Sequence, residues 1–206
     1  LVKAAARVRE AGFDAVEFHG AHGYLISQFF SPLSNHRSDR YGGNRERRQA
    51  LALELVRLTR EKLCSRFPIF FRMNGSDMMD GGVEIGEAVR NARALEKAGV
   101  DALDVSAGRR PFTDHFTMQP MGEPNGGLVH LAEAIKKEIG IPVLTAGKID
   151  AALAEMIIRK GQADLVSMGR GLIADPCLPL KTKAGRIAEI RTCLYCNHCV
   201  TQRTRL

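Results

Sequence analysis

The side chains best suited to chemistry lie near the start of the chain, where two histidines and a tyrosine follow a short apolar run. His19, His22 and Tyr24 are separated only by glycine and alanine. Two neutral imidazoles can donate hydrogen bonds to a carbonyl or phenolate oxygen, and a phenol two residues further on can supply a proton. The His-x-x-His spacing could instead bind a metal, although no third ligand lies nearby to complete such a site. A third possibility is that these side chains simply pack a loop.

A second set of candidate residues lies in two glycine-containing turns late in the sequence. Ala146-Gly147-Lys148 follows one apolar run, and Gly169-Arg170-Gly171 follows the next. Backbone N–H groups in paired turns of this kind, beside a helix N-terminus, commonly bind a phosphate group. Glycines also serve simply to make tight turns. We expect these turns to do both.

Three cysteines near the end of the sequence form a third candidate site. Cys193, Cys196 and Cys199 are each separated by two residues, a spacing that allows thiolates to reach one metal centre. A zinc site made of these three cysteines and His198 is the alternative to an iron–sulfur cluster. We expect the cysteine-rich segment to begin at residue 187. The two other cysteines, Cys64 and Cys177, are predicted to be buried.

The elements that would position these residues alternate regularly along the chain. Short apolar runs typical of buried strands alternate with amphipathic patterns typical of helices. This alternation predicts a parallel sheet whose strands are joined by helices. The predicted strands are 15–18, 69–73, 102–105, 142–144 and 164–168, and the predicted helices include 44–63, 84–98, 126–139 and 151–159.

Polar residues at the strand ends distinguish a closed barrel from an open sheet. His19, Arg72, Ser106, Thr145 and Gly169 each lie at or just past the end of a different predicted strand. In a barrel these ends surround one mouth, where barrel active sites are built. An open doubly wound sheet would place a glycine-rich fingerprint after its first strand, and none is present. The sequence therefore predicts a TIM (β/α)8 barrel with only about strands 4–8 present, formed by residues 1–186.

Composition excludes several other classes of protein. The 206 residues are 45% hydrophobic and 26% charged, which excludes a disordered chain, and no apolar run is long enough to cross a membrane. The net charge of +7 comes from scattered Lys and Arg residues, so no specific nucleic-acid partner is expected. The odd cysteine count and the lack of a leader pattern favour a cytoplasmic protein. Unpaired sheet edges would favour association, for example as a homo-oligomer.

Several motifs resemble those of one enzyme family, the old yellow enzyme family of NAD(P)H:flavin oxidoreductases. The segment His-Gly-Ala-His-Gly-Tyr-Leu at 19–25 is similar to the family's fourth strand and loop. Residues 31–43 are similar to its Ser-Pro-x-x-Asn-x-Arg-x-Asp-x-Tyr-Gly-Gly run, and the motifs around 71–77, 81–82, 146–147 and 167–170 keep its order and spacing. The tail at 175–193 resembles the branch related to 2,4-dienoyl-CoA reductase and trimethylamine dehydrogenase.

The resemblance implies an FMN-binding barrel with NAD(P)H as reductant, which passes a hydride to an activated C=C bond. The substrate would be a small unsaturated carbonyl or enoyl compound. By this analogy His19 and His22 would hold the carbonyl oxygen, and Tyr24 would protonate the α-carbon.

The resemblance also implies which residues hold cofactors. Arg72 would lie against the N1/C2=O edge of the flavin, where a fixed guanidinium stabilises developing negative charge. Gly147, Gly169 and Arg170 would hold the FMN phosphate. Members of the resembled branch carry a [4Fe–4S] cluster, which implies that role for Cys193, Cys196 and Cys199. The branch spaces its third cysteine one residue further and has a fourth about a dozen residues later, beyond Leu206, so the cluster is expected to be incomplete here.

Two alternatives stay open at this point. An FMN barrel that acts on tRNA, similar to a dihydrouridine synthase, would suit the positive charge, although such enzymes usually rely on a cysteine where Tyr24 stands here. A barrel fragment with two open sheet edges could also be inactive by itself.

Overall fold

The computed structural model describes residues 1–64 and 66–202, and its centre is a sheet of five parallel strands. The strands lie in chain order, each hydrogen-bonded to the next, and helices connect them. The strands are β1 Val16–Gly20, β2 Ile69–Ser76, β3 Ala102–Ala107, β4 Val143–Ala146 and β5 Leu165–Ser167. The helices are α1 Val2–Glu10, α2 Leu25–Phe30, α3 Arg45–Arg48, α4 Ala50–Lys62, α5 Ile85–Ala98, α6 Asp114–Thr117, α7 Val129–Lys136, α8 Ala151–Arg159, α9 Arg170–Ala174, α10 Leu178–Lys183 and α11 His198–Gln202, with a 3₁₀ turn at Ile187–Glu189.

The two faces of this sheet differ in chemistry. Phe18, Phe71 and Leu103 are paired across β1, β2 and β3, and they are buried in the core beneath the helices. Neighbouring positions point to the opposite face because side chains alternate along a strand. His19 and Arg72, which are paired in register, therefore share that other face. The sheet thus places apolar side chains under the helices and functional side chains on its inner face.

Helix boundaries differ from the predictions at two points. The predicted helix 44–63 is divided at Gln49 into α3 and α4, and the Asn44 side chain caps α3 by accepting a hydrogen bond from the Arg47 N–H. The predicted helix 126–139 is shorter at both ends, from Val129 to Lys136, and Gly126 at its predicted start has a left-handed φ of +66° that a helix does not contain. The prediction that Cys64 and Cys177 are buried is wrong: both are exposed.

Arg48 joins three elements beneath the sheet. Its side chain is 10% exposed. The guanidinium donates hydrogen bonds to the Phe30 carbonyl at 2.9 Å and the Gly43 carbonyl at 3.0 Å, and it pairs with Glu87 Oε1 at 2.7 Å. It therefore links the end of α2 and the loop before α3 to α5.

Replacing Arg48 by methionine is expected to lower the free energy of unfolding by about 2–4 kcal/mol, because Glu87 and two carbonyls lose their partner at a buried position. Its neighbour Arg47 is exposed and offers a matched control. Arg47→Met should change stability by less than about 0.5 kcal/mol. Urea unfolding of both variants of the full-length protein measures the difference, and equal effects would contradict the assignment.

No helix among the described residues combines the length and the apolar character that crossing a membrane requires.

Candidate active site at the carboxyl ends of the strands

Two neighbouring cavities lie at the carboxyl ends of the strands, and both are lined by Arg72, Thr117 and Met118. The imidazole cavity, about 340 Å³ in volume, is lined by those three residues together with Glu17, His19, His22, Tyr24 and Arg110. The glycine cavity, about 400 Å³, is lined by the same three residues together with others that include Gly147, Lys148, Gly169, Arg170 and Tyr195. The predicted substrate residues and the predicted cofactor residues therefore meet at Arg72.

The imidazole cavity brings the three predicted catalytic side chains into one cluster. The ring centres of His19 and His22 lie 5.0 Å apart, and those of His19 and Tyr24 lie 5.1 Å apart. His22 is buried, whereas Tyr24 is 48% exposed. Two imidazoles and a phenol thus share one small space, as their sequence spacing allows.

His22 is fixed by Asn74 of β2, Ser106 of β3 and Arg110 of the loop after β3. Its backbone has a left-handed φ of +63°, and its N–H donates to Asn74 Oδ1 at 3.2 Å. Its carbonyl accepts from the Arg110 N–H at 3.2 Å. Its ring Nε2 lies 2.7 Å from the Ser106 hydroxyl. The other ring nitrogen, Nδ1, has no hydrogen bond to another described residue, so it can contact a ligand.

Asn74 joins the segments that follow β2 and β3, and it was not among the predicted site residues. Its Oδ1 accepts from His22, and its NH₂ group donates to Asp77 Oδ1 and to the Gly108 carbonyl, both at 2.9 Å. The second oxygen of Asp77 accepts from the Val83 N–H at 3.1 Å. A satisfied buried network of this kind gives the loops one defined arrangement.

Both histidines of the cavity are neutral at neutral pH. Burial is the main reason that the pKa of His22 falls to about 3, and the charge of Arg72 adds to it. Burial and Arg72 also lower the pKa of His19. A neutral imidazole has one N–H donor and one acceptor nitrogen. Each ring can therefore donate a hydrogen bond to an oxygen atom without carrying a charge.

Arg72 has an unused donor at the junction of the two cavities. Its Nη1 lies 3.3 Å from Asp104 Oδ2. Its Nε is buried and has no hydrogen-bond partner among the described residues, and neither does Asp104 Oδ1. Burial raises the pKa of Asp104, although Arg72 acts in the opposite direction. A buried N–H without a partner calls for an acceptor, so Arg72 fits a ligand with oxygen or nitrogen acceptors at its edge, as FMN has.

The glycine cavity is closed on one side by the cysteine-rich segment. Gly147 has a φ of +112°, and a Cβ there would lie 2.6 Å from Gln119 Oε1, so the backbone requires glycine. At Gly169 a Cβ would meet no atom within 4 Å. Arg170 Nη1 donates to the Gln119 carbonyl at 2.6 Å, and its guanidinium lies 4.9 Å from the centre of the Tyr195 ring. Arg170 therefore stands at this cavity, as predicted, but part of it is already engaged by protein groups.

The three cysteines of the tail are not brought together. Tyr195 and Asn197 adopt left-handed conformations, and Asn197 Oδ1 accepts from Arg170 while its NH₂ donates to the Met118 carbonyl. These contacts hold the segment across the glycine cavity. Cys196 and Cys199 are exposed, Cys193 is partly exposed, and no group of three or more His, Cys, Asp or Glu side chains among the described residues could hold a metal. Across residues 1–64 and 66–202, the three cysteines and His198 therefore form neither the predicted cluster site nor a zinc site.

The sequence analysis missed several residues of the imidazole cavity. Arg110, Thr117 and Met118 follow β3 in the chain and line the cavity opposite residues of β1 and β2. A charged pair that begins four residues past the end of a predicted strand, Arg109-Arg110, was the available signal for the first of them.

The chain is similar to the members of one enzyme family. Residues 1–189 match the family model described as the NADH:flavin oxidoreductase / NADH oxidase family. An NADH oxidase of Thermoanaerobacter brockii is 47% identical over 96% of this chain, and an NADPH dehydrogenase of Bacillus subtilis (strain 168) is 39% identical over 84% of it. The chain spans 30% of the first relative's length and 49% of the second's.

Solved structures agree with the fold. A complex of 2-naphthoyl-CoA reductase with 2-naphthoyl-CoA superposes with a TM-score of 0.90 at 31% identity, covering 96% of this chain and 30% of that chain. Histamine dehydrogenase from Rhizobium sp. 4-9 also gives 0.90, at 30% identity, covering 99% of this chain and 30% of that chain. The prediction of a partial (β/α)8 barrel of the flavin-oxidoreductase type is confirmed.

Proposed function

The chain belongs to the NADH:flavin oxidoreductase / NADH oxidase family, and on this basis we propose that it forms the substrate-binding part of an FMN-dependent NAD(P)H oxidoreductase that reduces activated C=C bonds. The observation that carries this proposal is the imidazole cavity, in which two neutral histidines, a tyrosine and Arg72 line one space. FMN, when bound, supplies the hydride that adds to the β-carbon of the alkene.

The histidine pair binds and polarises the carbonyl of the substrate. His19 and His22 are neutral donors in a partly buried space, where hydrogen bonds to a developing enolate oxygen strengthen as charge builds up. Their 5.0 Å ring separation allows both rings to reach one oxygen atom. Withdrawal of electron density from the alkene makes its β-carbon a better hydride acceptor.

Tyr24 donates the proton that completes the reduction. Its ring packs 5.1 Å from His19 and lines the same cavity, so its hydroxyl is available beside a carbonyl held by the histidines. The proton passes from the phenol oxygen to the α-carbon. Because Tyr24 is 48% exposed, solvent can return the proton to it.

Arg72 and the glycine turns would hold the cofactor. The buried Nε of Arg72 would donate to the N1/C2=O edge of FMN, and Asp104 orients the guanidinium from the other side. Gly147, Gly169 and Arg170, which line the glycine cavity, would surround the phosphate. The two cavities that these residues line share Arg72.

The [4Fe–4S] cluster predicted for Cys193, Cys196 and Cys199 stays a prediction, and within the part of the chain that the structure describes these thiols form no metal site. Iron and acid-labile sulfide analysis of the anaerobically purified full-length protein tests its presence.

The proposed activity is tested by assaying the full-length protein under nitrogen with NAD(P)H and cyclohex-2-en-1-one. We expect one saturated ketone for each NAD(P)H consumed. NAD(P)H consumption only when oxygen is admitted, with no saturated product, would contradict alkene reduction and favour an NADH oxidase activity like the one named for the Thermoanaerobacter relative.

The role of Ser106 gives a further prediction. For His22 to donate through Nδ1, its Nε2 must accept, so the Ser106 hydroxyl must be the donor in their 2.7 Å contact. Ser106→Ala should therefore lower kcat/KM about tenfold, the effect of one lost hydrogen bond. It should also shift the His22 ring towards the tautomer protonated at Nε2, which ¹⁵N NMR of the imidazoles detects.

Thr59→Val provides the control for Ser106→Ala, since Thr59 is a fully buried hydroxyl on α4, away from the cavity. It should leave both the activity and the tautomer unchanged. An unaltered His22 tautomer in Ser106→Ala would show that Ser106 does not set it.

A further inference from the structure

Two adjacent arginines after β3 differ in what they contact. The Arg109 guanidinium donates to the Ser34 hydroxyl at 3.1 Å, and its backbone N–H donates to the Thr113 hydroxyl at 2.6 Å. Arg110 lines the imidazole cavity together with the histidine pair and Tyr24. Arg109 is thus used to connect loops, whereas Arg110 faces the space that the substrate would occupy.

The guanidinium of Arg110 is only partly engaged by the protein. Its Nε lies 3.1 Å from Asp114 Oδ1, and the side chain is 31% exposed. Within the described residues, the structure gives no hydrogen bond from either terminal NH₂ group of Arg110. Those two groups form the fork that binds a carboxylate or phosphate in two parallel hydrogen bonds. Arg110 therefore retains the donors suited to an anion.

The backbone of Arg110 is held at a fixed position relative to His22. The Arg110 N–H donates to the His22 carbonyl at 3.2 Å, and Arg109 forms an isolated parallel bridge with His22. Gly23 packs so closely that a Cβ there would lie 3.1 Å from the Arg110 carbonyl oxygen. A ligand whose carbonyl binds His22 would consequently meet Arg110 at a defined distance.

We propose that Arg110 is a specificity-determining residue that binds an anionic substituent of the substrate, so that the preferred substrates are unsaturated carbonyl compounds carrying a carboxylate. This inference rests on the proposed function of the same cavity. The charge of Arg110 also reaches His22, where it helps to lower the imidazole pKa. The same two NH₂ groups could bind a phosphate of NAD(P)H, and the experiment distinguishes a substrate carboxylate from that phosphate.

The test compares (E)-4-oxopent-2-enoate with its methyl ester, which has the same alkene and ketone but no charge. The full-length wild type should have the higher kcat/KM for the acid. Arg110→Gln should lower the acid-to-ester ratio of kcat/KM about tenfold by acting on the acid alone, as expected for the loss of a charge-assisted hydrogen bond at a partly exposed site. Arg110→Lys should retain part of the preference because it keeps the charge but loses the fork.

Arg109→Gln is the matched control, since it removes a neighbouring positive charge that does not line the cavity, and it should leave the ratio unchanged. An unchanged ratio in Arg110→Gln would overturn the proposal. If Arg110→Gln instead slowed flavin reduction by NAD(P)H and left the acid-to-ester ratio unaltered, the anion that Arg110 binds would be a phosphate of NAD(P)H. Reduction of neither compound by the wild type would refute the proposed function itself.

Discussion

Tyr24→Phe should slow alkene reduction by about 10²–10⁴-fold, the usual contribution of a positioned proton donor, while flavin reduction by NAD(P)H keeps its rate. The substitution removes one oxygen atom and preserves the ring that packs on His19. Hydride transfer from NAD(P)H needs no proton from this residue, so only the half-reaction with the alkene should respond. Rapid mixing of the full-length protein, first with NAD(P)H and then with an enone, measures the two half-reactions separately.

Tyr41→Phe is the matched control for this prediction. The Tyr41 hydroxyl donates to Glu54 at 2.8 Å, and the residue does not line either cavity. Both half-reactions of Tyr41→Phe should therefore match the wild type. If Tyr24→Phe reduced enones at the wild-type rate, the proton would have to come from another group or from solvent.

Arg72→Met is expected to lower kcat/KM by about 10²–10³-fold, comparable to the loss of one preorganised donor to a developing negative charge. The reason is the buried Nε without a protein partner among the described residues, which marks this side chain as the donor available at the junction of the cavities. Weaker retention of FMN should accompany the loss. Flavin content after gel filtration and steady-state kinetics with added FMN measure the two effects.

A second variant distinguishes the effect of Arg72 on activity from its effect on folding stability. Arg72→Met leaves Asp104, whose side chain is 4% exposed, without its ion-pair partner, and a lone buried carboxylate is destabilising. Arg72→Met combined with Asp104→Asn removes that charge and should recover much of the stability without recovering activity. Recovery of activity together with stability would mean that Arg72 acts only as a structural counter-ion.

The sequence predicted the sheet well because its signals are local. Each predicted strand is present, and β2 extends three residues beyond its predicted end at Met73. In α5 the apolar positions Ala88, Ala92 and Leu95 are buried, as a helical period requires. Parallel strands bring their carboxyl ends to one edge, so the positions of His19 and Arg72 near the ends of two predicted strands were enough to predict that they lie near each other, although Arg72 lies inside the longer β2.

Features that depend on contacts between residues far apart in the sequence could not be predicted in this way. The Ser106–His22 contact joins residues 84 positions apart, and the Arg110 N–H donates to the carbonyl of the similarly distant His22. The position of the cysteine-rich segment depends on Tyr195 and Asn197 contacting Arg170. No periodicity or spacing in the sequence encodes these long-range contacts.

The visible absorption spectrum of the anaerobically purified full-length protein tests most directly whether this chain contributes to an FMN site that reduces activated alkenes. We expect oxidised-flavin bands that NAD(P)H bleaches and that an α,β-unsaturated ketone then restores in the absence of oxygen. A protein that stays colourless after incubation with FMN, or a bleached flavin that the ketone fails to reoxidise, would contradict the account.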